Sequence, residues 1–357
     1  MCSKKLSALF LCVADEKIGY GHFNRCIKLA SEIRKNFKIK FIIFTTEETN
    51  FHSKQVNFEF DMVSIDHLNS EKDFYENIAE DLIVLDLFFF GFSSIIDYKN
   101  IFSKLNLKSR LLIAIDTLGD QSICSQKYKN DKLVILAPYI HEASRRVDPK
   151  RFRHVLEGEK YALLDKSFKK KIRRKFKYHR KNILVTSGGS DPYGYTVDII
   201  KGIGLQKLNC VVRIIVGPMF SSSYVRKIQI HAKNSKTPIQ IKFSPSSLVK
   251  DFNWCDFCLS ASGLTKYELA AFGTPTILFS IDSNHHNVNR AFISRVGSID
   301  IGHNIRNFYL LKQIKILLKN NYLLMKMSKQ SSSVIDNMGV KRVTDFIQQE
   351  LLLKKYD

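Results

Sequence analysis

The sequence predicts an α/β protein built on two similar parallel sheets, and three observations carry that prediction. Short apolar runs alternate with glycine-bearing turns and amphipathic segments, the pattern of strands covered by helices. The runs fall into two groups of five. Residues 166–181, with ten lysines or arginines and few strand formers, lie where one group ends and the next begins.

In the first group the strand candidates are Ala8–Ala14, Lys40–Thr45, Leu82–Leu87, Leu111–Ile115 and Leu133–Ala137. Apolar residues at Phe23, Cys26, Ile27, Ala30 and Ile33 have helical spacing and place a helix directly after the first strand. Together these residues form an N-terminal Rossmann-like domain, 1–165. The run 166–181 reads as a connecting helix and basic linker, its charge more often a solvated helix face than a nucleic-acid site. A second Rossmann-like domain, 182–339, holds Asn182–Thr186, Cys210–Val216, Ile239–Phe243, Phe257–Ser260 and Thr276–Ile281. The last segment, 340–357, is an amphipathic helix that either domain could receive.

Composition limits the classes of function. The 357 residues hold 56 Lys+Arg and 34 Asp+Glu, so the formal charge is 56 − 34 = +22, and 45% hydrophobic residues suffice for two cores. Disorder and a disulfide-stapled miniature are excluded; nucleic acid, an anionic membrane face and acidic small molecules stay open as partners. Seven cysteines, at positions 2, 12, 26, 124, 210, 255 and 258, have no framework spacing, which points to a reducing, cytoplasmic setting. Cys255 and Cys258 have half-site spacing without a second pair to complete a zinc shell, so packing is expected there and no metal. The apolar runs Leu6–Ala14 and Leu82–Phe92 are too short to span a bilayer, and the first is expected as a strand and not a leader peptide.

Three turns carry the candidate chemistry. The first strand runs into Gly19-Tyr20-Gly21-His22, where glycines permit a sharp turn and the following helix points unpaired N–H groups at the loop. His22 then stands at the carboxyl edge of the sheet, where open α/β folds bind ligands. Gly-x-Gly-His alone is a short and unspecific motif. The second turn, Thr186-Ser187-Gly188-Gly189-Ser190-Asp191-Pro192, offers backbone and hydroxyl donors to a diphosphate, or is an ordinary tight turn. In the third, Ser260-Ala261-Ser262-Gly263-Leu264-Thr265 opens a helix that Gly273-Thr274-Pro275 closes. Glu268, one turn inside, can accept from a ribose diol or simply favour the helix start. Downstream, Asp282–Asn287 reads as a loop before a helix at Val288–Val296, with Asn287 and its neighbours making polar contacts to a ligand; adjacent histidines on an extended segment point apart, which disfavours a metal.

Taken together, Ile18-Gly19-Tyr20-Gly21-His22 continuing through Arg25 to Ala30, Gly158–Leu164, Ser187–Pro192, and Ser260-Ala261-Ser262-Gly263 with Tyr267-Glu268-Leu269 resemble the nucleotide-sugar hydrolases of pseudaminic acid biosynthesis. These cleave UDP-2,4-diacetamido-2,4,6-trideoxy-β-L-altropyranose, and the family is similar to the glycosyltransferase that adds GlcNAc in lipid II synthesis. The resemblance implies a GT-B fold, with the nucleotide on the C-terminal domain and no cofactor. It implies His22 as the base that activates water, and Glu268 as the ribose ligand. Gly19, Gly21, Arg25, Asp86, Gly188, Gly189, Ser190, Ser260, Ser262, Gly263, Leu264, Thr265 and Asn287 complete the expected substrate site.

The chain has Asp86-Leu87-Phe88 where these hydrolases tend to carry Asp-His-Tyr or Asp-Asp-Tyr, and Asp116-Thr117 where they carry Asp-Asp. A site with fewer polar groups near the sugar leaves a second expectation: an inverting glycosyltransferase in which His22 deprotonates a carbohydrate acceptor. Nucleic acid is not expected as a partner, since no module interleaves aromatic and basic residues. The charge around Arg145–Arg153 and residues 166–181 exceeds what two phosphates require, and it leaves peripheral contact with an anionic membrane open.

Overall fold

The computed structural model describes residues 5–14, 20–45, 58–65, 75, 78–87, 98–106, 109–116, 123, 128–141, 147–169, 175–176, 178–280, 283–303, 305 and 308–353. The chain divides into two compact units, residues 1–165 with 338–357 and residues 166–337.

The first unit holds a seven-stranded parallel sheet in the order β3-β2-β1-β4-β5-β6-β7. Its strands are β1 (Leu6–Val13), β2 (Phe37–Thr45), β3 (Glu59–Ser64), β4 (Leu82–Asp86), β5 (Leu111–Ile115), β6 (Asn130–Ala137) and β7 (Phe152–Glu157). Helix α1 (Gly21–Ile33) follows β1, and α2 (Tyr98–Asn106) follows β4. Successive residues of β1 feed opposite layers: Leu9, Leu11 and Val13 pack with Ile101, Phe102 and Leu105 of α2, whereas Ala8, Phe10 and Cys12 pack with Phe23, Cys26 and Ala30 of α1. Burial on both faces is why the strand reads as an unbroken apolar run.

The second unit holds six parallel strands in the order β10-β9-β8-β11-β12-β13. They are β8 (Lys181–Thr186), β9 (Cys210–Val216), β10 (Ile239–Phe243), β11 (Phe257–Ala261), β12 (Thr276–Phe279) and β13 (Ile299–Asp300). The helices are α3 (Tyr195–Gly204), α4 (Ser222–Lys233), α5 (Val249–Trp254), α6 (Thr265–Ala271), α7 (Ser283–Val296), α8 (Phe308–Lys319) and α9 (Asn321–Val334). One face of the sheet packs on α3, α8 and α9; the other buries Leu184 and Cys258 against Phe252 of α5 and Leu269 of α6. Cys255 and Cys258 lie in this second layer, 3% and 0% exposed, with their thiols on the Phe252 and Leu259 carbonyls.

The chain then returns to the first unit. Helix α10 (Gly339–Gln348) sends Val340, Val343 and Ile347 into the layer beneath α1, and Arg153 of β7 pairs with Glu350 beyond the helix. A Cβ on Gly339 would fall 2.2 Å from the Ala162 carbonyl oxygen, so only glycine admits this approach.

The structure differs from the sequence expectation in three respects. Among the described residues the sheets have seven and six strands, not five and five; the additions β3, β7 and β13 are edge strands, and the half-exposed sequences EFDMVS and FRHVLE of the first two lack a continuous apolar run. Within the expected connecting segment, Lys166–Lys169 forms a 3-10 turn, Lys181 already belongs to β8, and residues 170–174 and 177 lie outside the described residues; Phe168 anchors the turn on Phe252. Residues 283–287 are not loop: they open α7, so the adjacent histidines there lie on a helix and not on an extended segment.

Candidate functional site

The first cluster gathers at the carboxyl edge of the seven-stranded sheet. β1 ends beside β4, with Cys12 opposite Asp86 in register, and α1 starts at Gly21 just above them. The helical repeat puts His22 and Arg25 on one face, one turn apart. Asp86, the last residue of β4, is fully buried, and its carboxylate meets four donors. Arg25 donates Nε to Oδ2 and Nη2 to Oδ1, the His22 Nδ1 lies 2.7 Å from Oδ1, and the Cys26 thiol lies 3.7 Å from Oδ2. Tyr139, just beyond β6, accepts from Arg25 Nη1, and its ring centre lies 5.6 Å from the guanidinium Cζ.

This geometry fixes the histidine tautomer. A carboxylate only accepts, so Nδ1 must carry the hydrogen, and Arg25 Nη2, 2.9 Å from Nδ1, is left to donate to Asp86. The lone pair is therefore on Nε2. Burial lowers the His22 pKa, Asp86 partly restores it and Arg25 lowers it again; the net shift is downward, so the imidazole is neutral at pH 7. Burial opposes ionisation of Asp86, yet Arg25 and His22 outweigh it and hold the carboxyl far below its usual range. Burial also opposes the Arg25 charge, which Asp86 more than offsets. Burial pushes the Cys26 thiol up, so it stays a neutral donor. A neutral base oriented by a buried carboxylate is the pairing that removes a proton from a hydroxyl or water.

Arg25 and Asp86, expected as substrate ligands, are 4% and 0% exposed and satisfy each other, whereas the His22 side chain keeps 14% exposure. Gly21 opens α1 as expected of a turn residue; Gly19 lies outside the described residues. Sequence reasoning missed Tyr139 and Cys26. Tyr139 could have been found from its place after Ala137-Pro138, at the same sheet edge as Asp86.

The second unit presents its turns at the carboxyl ends of β8 and β11. After β8, Ser187 bonds Thr196 through their hydroxyls at 2.8 Å, and the Gly188-Gly189 backbone lies directly on Gly217, where a Cβ would come within 2.4 Å of both carbonyl oxygens. Asp191 accepts from the N–H groups of Tyr195 and Thr196 at 3.0 and 2.7 Å, and from the Tyr224 hydroxyl at 2.8 Å. Its carboxylate thus occupies the first turn of α3; Gly188, Gly189 and Ser190, in the turn expected to offer donors to a diphosphate, are part-exposed.

After β11 the arrangement differs. Ser260 is fully buried in the strand, its hydroxyl on the Ala261 carbonyl, and Ser262 donates to the Phe279 carbonyl at 2.6 Å. Gly263 is exposed with open space where a Cβ would be, and α6 begins at Thr265 with Leu264 as a cap that offers no side-chain acceptor. Glu268 stands part-exposed in the first turn. Beneath the turn, Lys266 is 6% exposed and donates to Asn289, whose amide donates to Ser280 at 3.1 Å. Burial pulls the Lys266 pKa down to about 7. Asn287 lies on α7, two residues from Asn289.

No protein-family model matches the chain. An uncharacterised protein of Methanocaldococcus jannaschii is 24% identical over 290 residues, 73% of this chain, and the chain spans about half that protein's length, 53%. Among solved structures, MurG of Acinetobacter baumannii matches with a TM-score of 0.66 at 14% identity, over 97% of this chain and all of that one. The calicheamicin glycosyltransferase CalG4 matches at 0.60 and 11% identity, over 99% of both. MnaA of S. aureus, solved with UDP, matches at 0.56 and 13% identity, over 98% of both. These likenesses, with two all-parallel sheets, establish a GT-B-like architecture of two Rossmann-like units.

Proposed function

We propose that the chain is an enzyme acting on a nucleotide sugar, with His22 as general base, and that its reaction is hydrolysis of a UDP-activated diacetamido trideoxy sugar in nonulosonic acid biosynthesis. The observation that carries the reading is the Asp86–His22 pair, which presents a neutral, tautomer-fixed imidazole at a sheet edge. In the proposed step Nε2 takes a proton from water as the water oxygen bonds to the anomeric carbon. The bond from that carbon to the diphosphate breaks, and UDP leaves with the electron pair. Backbone N–H groups around Gly188-Gly189 and Gly263-Leu264, with the start of α6, supply donors for the leaving diphosphate, and Glu268 accepts from the ribose. Sequence motifs matching the nucleotide-sugar hydrolases, and an architecture shared with MnaA solved with UDP, support the choice of substrate.

A second reading keeps the base and changes the nucleophile: an inverting glycosyltransferase for surface glycan assembly. The shared architecture with CalG4 and the sparse acidic side chains after β4 and β5 favour it. UDP release from UDP-diacetamido sugars, measured with and without carbohydrate acceptors, separates the two. Release at the same rate without acceptor supports hydrolysis; release that requires acceptor supports transfer, and none from any UDP- or CMP-sugar refutes both.

A further inference from the structure

The last two helices of the second unit carry a surface that neither the core nor the proposed reaction uses. From residue 301 to 335 the sequence has no aspartate or glutamate, but six basic residues: Arg306, Lys312, Lys315, Lys319, Lys326 and Lys329. The inward faces of α8 and α9 are fully employed, with Leu310, Ile314, Leu317, Leu324 and Met327 in the core. Their outward faces nonetheless expose Tyr309 at 45%, Ile316 at 37%, Tyr322 at 74% and Met325 at 51%. Helical spacing sets Lys312, Ile316 and Lys319 in one stripe of α8, and Tyr322, Lys326 and Lys329 in one stripe of α9. Leu311, Lys312, Lys315, Ile316 and Lys319 line a shallow groove on α8. Asn320 is the single residue between the helices and caps α9 by accepting from Leu323 N–H at 2.8 Å.

We infer that the α8–α9 face docks the protein on an anionic lipid surface, with Ile316, Tyr322 and Met325 entering the headgroup layer and the lysines pairing with lipid phosphates. Exposed apolar side chains flanked by lysine on an amphipathic helix are the combination that lies in a membrane interface. No carboxylate within residues 301–335 offsets the attraction. Nucleic acid is the poorer fit: Tyr309 and Tyr322 could stack bases, but the exposed Ile316 and Met325 between the lysines stack none and suit an apolar phase. Among the described residues no helix is long and apolar enough to cross a membrane, so contact through this face is peripheral. The inference does not rest on the nucleotide-sugar reading.

Co-sedimentation of the full chain with phosphatidylglycerol-containing vesicles tests it, with pure phosphatidylcholine vesicles as reference. The expected result is binding to the anionic vesicles alone, falling steeply with salt. Binding should drop at least about tenfold in Lys312→Glu/Lys315→Glu/Lys319→Glu, and should weaken in Ile316→Ser/Tyr322→Ser/Met325→Ser without losing its salt dependence. Unchanged melting temperature and UDP release in both variants show that the fold and any reaction are intact, so failure here is distinct from failure of the enzymatic reading. Equal binding to both vesicle types, undiminished binding by the variants, or loss in the variants only of self-association or of oligonucleotide binding, would each overturn the inference.

Discussion

The two units place their polar groups in opposite ways. At the edge of the first sheet the charges are paired, with Asp86 receiving Arg25, His22 and Cys26 and no water-facing atom of its own. At the turns of the second sheet the groups are hydroxyls, glycine backbone and a helix start, and the nearby charges of Asp191 and Lys266 are bound by their own neighbours. A base must hold one tautomer and a set proton affinity, which takes fixed charge. Donors for a diphosphate must be open and near-neutral, and backbone N–H groups serve without a counter-charge. The contrast predicts that damage to the first cluster lowers turnover, whereas damage to the second weakens ligand binding.

The largest effect is expected for Asp86→Asn. It leaves the Arg25 guanidinium buried without its partner, at a cost of about 3–5 kcal/mol in stability, and releases the His22 tautomer. Thermal melting should show a fall well beyond that of a surface control, and UDP release by the folded fraction should drop by at least about a hundredfold. Next, Lys266→Met should raise the melting temperature. The folded state holds this lysine near pKa 7 and the unfolded state at its ordinary higher value, so between those two pH values the unfolded chain binds more protons and the parent gains stability as pH rises. The advantage of Lys266→Met should therefore be greatest near pH 7 and shrink by roughly 2 kcal/mol by pH 9, as read by denaturant titration at both. Gly339→Ala should cost about 1–3 kcal/mol by driving a Cβ into the Ala162 carbonyl and lifting α10 from the first unit. Glu268→Ala should raise KM for a UDP-sugar about tenfold with kcat little changed, the signature of lost ground-state binding. An equal fall in kcat would place Glu268 in the chemical step.

The fold was legible where strands are buried on both faces. β1, β4 and β11 announce themselves as apolar runs, while the edge strands β3 and β7 expose one side and read as ordinary polar sequence. The candidate site was legible where it is local: Gly21, His22 and Arg25 lie within one helical turn, and Ser262 to Glu268 form one strand-to-helix passage. What the sequence concealed is tertiary. The union of Arg25 with Asp86 and Tyr139, separated by 61 and 114 residues, depends on β1, β4 and β6 ending at one sheet edge. Asn289, already inside the expected helix Val288–Val296, escaped notice because its partner Lys266 lies 23 residues away on another helix.

The central claim is that His22 is the base, and His22→Ala tests it most directly when UDP affinity and UDP release are measured on the same protein. The account predicts UDP binding within about twofold of the parent and a loss of turnover of roughly 10²–10⁴. In the parent, the account predicts an acid limb of the rate profile that lies below pH 6.5, as the lowered His22 pKa requires. Release of UDP from the sugar donor by His22→Ala as fast as by the parent would contradict it.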